Sequence, residues 1–173
     1  MNSVDRRESI IKLLLESNEP IKGSVIARRY LVTRQVIVKD IAILRAKGEN
    51  IIATPDGYII NKKENKVKAI IAVTHNEEEM FNEMSIVIKY GGTIEDVIVE
   101  HPLYGEIAAM LMIKNYNELS KFVQKCQDQK AKLLSVLTNG VHLHTISAES
   151  EDDINLIISE LKKHNFIVSD LED

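Results

Sequence analysis

His142-Leu143-His144 sets two imidazoles two residues apart. On an extended strand, such residues point to the same face, so both rings can converge on one ion. His75 stands where a β-branched run gives way to a helical pattern, and Glu83 lies eight residues on, inside that helix. Together His75, Glu83, His142 and His144 offer three imidazoles and one carboxylate, a donor set suited to Zn, Ni, Co or Fe(II). Glu77, Glu78 and Glu79 are rival carboxylates, and Glu79 shares a helix face with Glu83. A His-x-His pair on a strand also serves as an ordinary polar solvent face. His101 precedes Pro102 and is followed by Tyr104 and Gly105, in a loop that either lines a pocket or holds a turn. His164 reads as exposed, and Cys126 as part of an apolar helix stripe.

A second group of side chains carries positive charge. Residues 21–60 read as two short amphipathic helices, a tight turn between them, and a small hairpin. In the second helix Thr33 is the expected N-cap. Ile37, Ile41 and Leu44 face inward, and Arg34, Gln35, Val38 and Lys39 outward. Lys47-Gly48 stops that helix, since Gly takes the left-handed cap. Strand, Pro55-Asp56-Gly57 turn and strand follow. This order is the layout of a winged helix-turn-helix, whose second helix enters the DNA major groove with its N-terminal residues leading. Arg34, Gln35 and Lys39 are therefore the expected base or phosphate contacts, with Arg28, Arg29 and Arg45 on phosphates.

These groups are held by a chain of 173 residues, long enough for one large or two small domains. Net charge is -4 but uneven: residues 1–62 hold 11 Lys and Arg against 7 Asp and Glu, and the remainder 11 against 19. A basic front on an acidic rear suits a DNA-binding module joined to a sensor. The single Cys126 excludes an internal disulfide and fits a reducing cytosol. No apolar run approaches the roughly 20 residues of a membrane span, and no signal-peptide core is present, so a cytoplasmic protein is expected. Walker loop, GxGxxG, HExxH and GxSxG motifs are all absent, and no enzyme is expected.

In chain order the pattern predicts a helix over 3–16, the helix-turn-helix and wing, and a polar boundary at 61–66. Strand and helix patterns then alternate: strand 67–74, helix 76–89, strand 94–100, and a segment 106–113 that suits a strand or a helix. Helix 115–127 follows, then 133–137 as a strand or the lead-in to one, strand 141–147, helix 150–163 and a closing strand 166–168. The expected fold is α+β: a winged helix-turn-helix at 1–62, then an α/β sandwich at 66–173 with helices on one face of a mostly antiparallel sheet.

Five pieces, RQVIVKDIAILRAKG (34–48), IIATPDGYII (51–60), VTHNEEE (73–79), VIVEHPLYGEI (97–107) and GVHLHTI (140–146), resemble the bacterial repressors of NAD-biosynthesis and niacin-uptake genes. These join a biotin-repressor-like winged helix-turn-helix to a three-histidine (3H) domain, and the resemblance spans roughly residues 5–170. It implies operator DNA bound by a homodimer, nicotinic acid as corepressor, and a transition metal in the C-terminal domain at the positions matching His75, Glu83, His142 and His144. His101, in the HPLYG loop, matches another family histidine and, with Tyr104, is assigned to the effector pocket. The chain departs from the family in the helix-turn-helix. Leu31 stands at a turn position commonly taken by Gly or Asn, and Thr33 at a cap commonly taken by Ser. A left-handed Leu costs on the order of 1 kcal/mol. The rival readings are a repressor for which the metal itself is the signal, and a small metallohydrolase on a DNA tether, for which Glu79 is the only evident base.

Overall fold

The computed structural model describes residues 2–60, 66–128 and 132–168. The expected boundary at 61–66 lies, apart from Lys66, outside the described residues. The chain divides into two compact units, residues 1–64 and 65–173.

In the first unit, α1 spans Ser3–Glu16, α2 Gly23–Arg29 and α3 Arg34–Ala46. Asn2 caps α1 through its side-chain oxygen, which accepts from the Val4 and Asp5 amides. Thr33 caps α3, accepting from Val36 at 3.4 Å. Ile10, Leu14, Ile26, Ile37, Ile41 and Leu44 close the core between the three helices. The wing pairs β1 (Ile51–Thr54) with β2 (Gly57–Ile60), antiparallel. Ile21 and Tyr58 exchange both backbone hydrogen bonds at 2.9 Å, so the wing is stitched to the segment entering α2. A side chain at Gly57, whose φ is +136°, would meet the Ile21 carbonyl oxygen at 2.3 Å. Only glycine fits that approach.

Three helices ending at Ala46, Lys89 and Lys163, and α2 before them, close with one device. The second residue past the helix end takes a left-handed φ, and the next amide reaches back five residues. Gly48, Gly91 and Asn165 take the left-handed position in three of these. In α2 it falls to Leu31, with φ 53° and 93% exposure. The sequence-level expectation of a left-handed Leu therefore holds, and this side chain gains nothing from packing that would offset it. Leu31→Gly is expected to stabilise this unit by about 0.5–1 kcal/mol, part of the relief being lost to the greater freedom of an unfolded Gly. Thermal unfolding should read this as a rise of a few degrees; no rise would mean that the turn carries no strain.

One buried charge in this unit was not foreseen. Asp40 is 2% exposed and sits on the inward face of α3. Its oxygens accept from Arg6 Nε at 2.6 Å and Arg7 Nη1 at 3.3 Å, tying α3 to α1. Asp40→Ala leaves two guanidinium groups without their acceptor in a half-dry site. A loss of about 2–4 kcal/mol is expected in denaturant titration; an unchanged midpoint would contradict it.

The second unit carries β3 (Val67–Thr74), α4 (Met80–Lys89), β4 (Thr93–His101), β5 (Gly105–Ile113), α5 (Tyr116–Asp128), β6 (Val141–Ala148) and α6 (Glu151–Lys163). The sheet is antiparallel throughout, in the order β3-β6-β4-β5. Ile71, Val73, Ile94 and Ile146 form one side of its core, against Met84 and Val87 of α4 and Ile157 and Leu161 of α6. This is the expected α+β architecture.

Some expectations need correction. Segment 106–113, which left strand and helix open, is strand β5. The helix expected over 76–89 is a 3-10 turn, Glu77–Glu79, followed by α4. Segment 133–137, read as a strand or its lead-in, is a 3-10 turn, Leu134–Thr138. There the Thr138 hydroxyl donates to the Ser135 carbonyl at 3.3 Å, a local bond that competes with strand pairing. The closing strand at 166–168 is a single bridge, Val73 to Ile167.

Candidate metal centre and nucleic-acid face

β6 places His142 and His144 on one side of the sheet, both buried. β3 lies beside it in register, Thr74 opposite Val141, and so delivers His75 to the same end. α4 begins at Met80, which puts Glu83 one turn on, at 0% exposure. The ring centroids of His75 and His142 are 4.8 Å apart, and those of His142 and His144 4.7 Å. Glu83 Oε2 lies 3.9 Å from His144 Nε2. Gly140, with φ 95°, lets the chain turn against His75: a Cβ there would stand 2.9 Å from the His75 carbonyl oxygen.

Backbone carbonyls fix the tautomers. His75 Nδ1 lies 2.7 Å from the Asn76 oxygen, His142 Nδ1 2.8 Å from that of Gly140, and His144 Nδ1 2.5 Å from that of Asp96. A carbonyl only accepts, so each Nδ1 carries the proton and donates it, and each Nε2 presents a lone pair. The Nε2 atoms of His142 and His144 face each other at 3.1 Å. In these tautomers that contact has two acceptors and no donor. His75 Nε2 and both carboxylate oxygens of Glu83 are buried with no hydrogen-bond partner. Burial pushes Glu83 up to about 8. Burial, and for His144 the neighbouring His142, pushes His142 down to about 4 and His144 to about 3, so both are neutral at pH 7.

A cation among these atoms would satisfy every one of them. Two nitrogens held by one ion at the usual ~2.0–2.1 Å stand about 2.9–3.4 Å apart, and the 3.1 Å spacing falls within that range. The carbonyl behind each imidazole is the outer-shell partner that metal-bound histidines ordinarily have. Among the described residues no three such side chains are already drawn up as a finished ligand sphere. Glu83 Oε2 stands 3.9 Å from His144 Nε2, and the His75 and His142 rings meet edge to face at 4.8 Å between centroids. The donor set fits a transition ion.

Of the rival carboxylates, Glu77, Glu78 and Glu79 are exposed. Glu79 is engaged in a capping box, accepting from the Asn76 amide while Asn76 accepts from its own. Beside His75 opens a cavity of about 590 Å³, lined also by Asn76, Glu77, Leu133, Asn139 and Gly140. A second, of about 480 Å³, is lined by His142 with Ile98, Glu100, Glu106 and Val141. His101 and Tyr104 line neither of these two cavities. They pack on each other, centroids 4.9 Å apart, and His101 Nδ1 accepts from the Leu103 and Tyr104 amides. In this structure the ring holds the β4–β5 turn.

On the first unit, Arg34, Gln35 and Lys39 are exposed along the first turns of α3, and Arg28 and Arg29 at the end of α2 and Arg45 in the last turn of α3 are exposed as well. Gly23 packs closely on the wing: a Cβ there would lie 3.2 Å from Tyr58 Cε2, and at an ordinary contact distance of 3.8 Å from Arg34 Nε.

A winged helix-turn-helix joined to an antiparallel α+β domain with buried, outward-unsatisfied imidazoles defines a two-module DNA-binding regulator. Comparison with known proteins identifies it further. Residues 6–59 match the HTH domain model and residues 68–170 the 3H domain model. The chain is 43% identical over 166 residues to the probable transcription repressor NiaR of Thermotoga maritima, covering 96% of this chain and 95% of that one. It is 36% identical over 170 residues to the transcription repressor NadR of Bacillus subtilis, covering 96% and 94%. The chain belongs to the 3H-domain family and is a transcription repressor of the type these relatives represent. The family is not one of enzymes, which sets the metallohydrolase reading aside.

Proposed function

We propose that this repressor binds the operators of NAD-biosynthesis and niacin-uptake genes in the cytoplasm as a homodimer. Residues 1–62 read DNA, and residues 66–173 take nicotinic acid as corepressor and one divalent transition ion. The observation that supports this best is the set of buried lone pairs without partners on His75, Glu83, His142 and His144. When bound, the ion supplies fixed positive charge beside the cavity of about 590 Å³, which is roomy enough for a small aromatic acid. His75 links the two, since it belongs to the cluster and to the cavity wall. Glu77, at the rim, disfavours an anion, so the pocket needs that positive charge to select a carboxylate. His101 and Tyr104 would then act at a distance from this cavity, by holding the β4–β5 turn. On the DNA side, Arg34, Gln35 and Lys39 meet base edges or phosphates, and Arg28, Arg29 and Arg45 hold the backbone.

A corepressor shifts DNA affinity only by binding the DNA-competent arrangement more tightly than the other. A gel shift on a candidate operator, with nicotinate, nicotinamide and NAD compared before and after chelation, tests the whole reading. Nicotinate alone should raise operator affinity by about 5–150-fold, and chelation should abolish that gain. Affinity that follows the metal and ignores nicotinate would establish the rival metal-sensing repressor instead.

A further inference from the structure

The inner strand β4 breaks its own alternation beside the candidate ion site. Ile94 lies in the core, opposite Ile146 of β6. His144 stands two residues from Ile146, on the same face. Strict alternation would carry Asp96 to that face as well, opposite His144, and set a carboxylate in the core. The strand does otherwise. From Ile94 to Ile98 it advances four residues while β6 advances three, from Ile146 to Leu143. Val97, not Asp96, packs against the core. β5 absorbs the irregularity in turn. It spends three residues, from Ile113 to Met110, against two from Ile94 to Asp96, and Met112 there takes a φ of 55°. A left-handed Met is strained, and bulges of this kind re-aim groups beside functional sites.

What is re-aimed here is one residue with two acceptors. The Thr145 amide donates to Asp96 Oδ1 at 2.8 Å, and His144 Nδ1 donates to the Asp96 carbonyl oxygen at 2.5 Å. The side chain takes a strand amide, the task of a main-chain carbonyl in a regular ladder, and the carbonyl is thereby left for the ring. Asp96 is 9% exposed and makes no ion pair among the described residues, so hydrogen bonding holds its carboxylate. The other two imidazoles are served locally. His75 and His142 donate to carbonyls one and two residues away, those of Asn76 and Gly140, whereas the carbonyl behind His144 is 48 residues away in another strand.

We propose that Asp96 is the positioning residue of this site. By holding the Thr145 amide, its carboxylate keeps its own carbonyl behind His144, and so decides that Nε2 of that ring faces the other donors. Asp96 acts through His144 and is not itself a ligand. This deepens the metal reading given above and rests on it.

Nitrogen NMR of the histidine rings in the chelator-treated, full-length chain reads the device without any ion. In the wild type the His144 proton should sit on Nδ1. Asp96→Ala should convert His144 to a mixture of tautomers, while His142, whose carbonyl is local, stays as it was. Calorimetry with Zn should then show an affinity about 10–100-fold lower, the usual cost of losing an outer-shell partner. Asp96→Asn keeps an oxygen for the Thr145 amide and should retain both the tautomer and the affinity. An Asp96→Ala protein with wild-type tautomers and wild-type affinity overturns the role of Asp96 and leaves the metal centre standing. So does an Asp96→Asn protein as impaired as Asp96→Ala. A wild type that binds no ion overturns the metal centre, even where the His144 tautomer follows Asp96. Should Asp96→Ala fail to fold, the wild type and Asp96→Asn still decide: a His144 proton on Nε2 in either overturns the proposal.

Discussion

Adding Ni, Zn or Co to chelator-treated protein should raise the unfolding temperature of the second unit by upwards of about 10 °C. An ion present at 100 to 1,000 times its dissociation constant stabilises the folded state by roughly 3–4 kcal/mol, and in a unit of this size each kcal/mol moves the midpoint by several degrees. The expectation follows from atoms that are now uncomfortable: two Nε2 lone pairs at 3.1 Å, and a third imidazole nitrogen and a carboxylate buried without partners. His144→Ala should lower ion affinity by more than about 100-fold, beyond what losing an outer-shell partner costs. Glu83→Gln is the sharper probe, because it keeps the volume and removes the anionic donor. It should abolish most of the metal-dependent rise while leaving the metal-free protein at least as stable, since a buried carboxyl without a partner is itself destabilising. A wild-type midpoint that ignores both chelator and added ion would sink the metal centre.

Arg34→Ala should weaken operator binding by about 5–150-fold, the span of one good bidentate base contact at roughly 1–3 kcal/mol. Specificity should relax at one base pair while the unfolding temperature stays put, because Arg34 is exposed and the α3 core lies on the opposite face. Arg28→Ala is the control: it should weaken all sequences about equally and reduce the salt dependence by about one phosphate contact. Equal losses for both variants on operator and random DNA would place Arg34 on the backbone, not on a base.

Much of this was legible before any coordinates. Short-range rules govern α1, the Thr33 cap, the wing turn and the left-handed Leu31, and there the reading and the structure agree. The alternating runs of the second half likewise give its strands and helices in the right order. Local rules could not choose among four glutamates over 77–83. That choice depends on where α4 starts, and the Asn76–Glu79 capping box delays the start to Met80 and turns Glu83 inward. The turn at Leu134–Thr138 misled for a related reason: its apolar residues look like a strand, but the Thr138 hydroxyl bonds back to the Ser135 carbonyl. Asp40 was missed although a signal existed. It lies three residues past Ile37 on an apolar face, and two adjacent arginines precede it in α1. A charge at a core position asks for a partner, and that pairing becomes visible only when two helices are laid together. The resemblance to a known family offered His101 as an effector contact, and local rules could not show that one of its two ring nitrogens, Nδ1, accepts from two amides of its own turn.

The positions of the four donors along the chain have a consequence for timing. His75 and Glu83 leave the ribosome early, and His142 follows 59 residues after Glu83. β6 lies between β3 and β4, so the four side chains come together only where that central strand is in place. The proposed ion site would therefore exist no earlier than the sheet itself, and its occupancy would report a folded second unit.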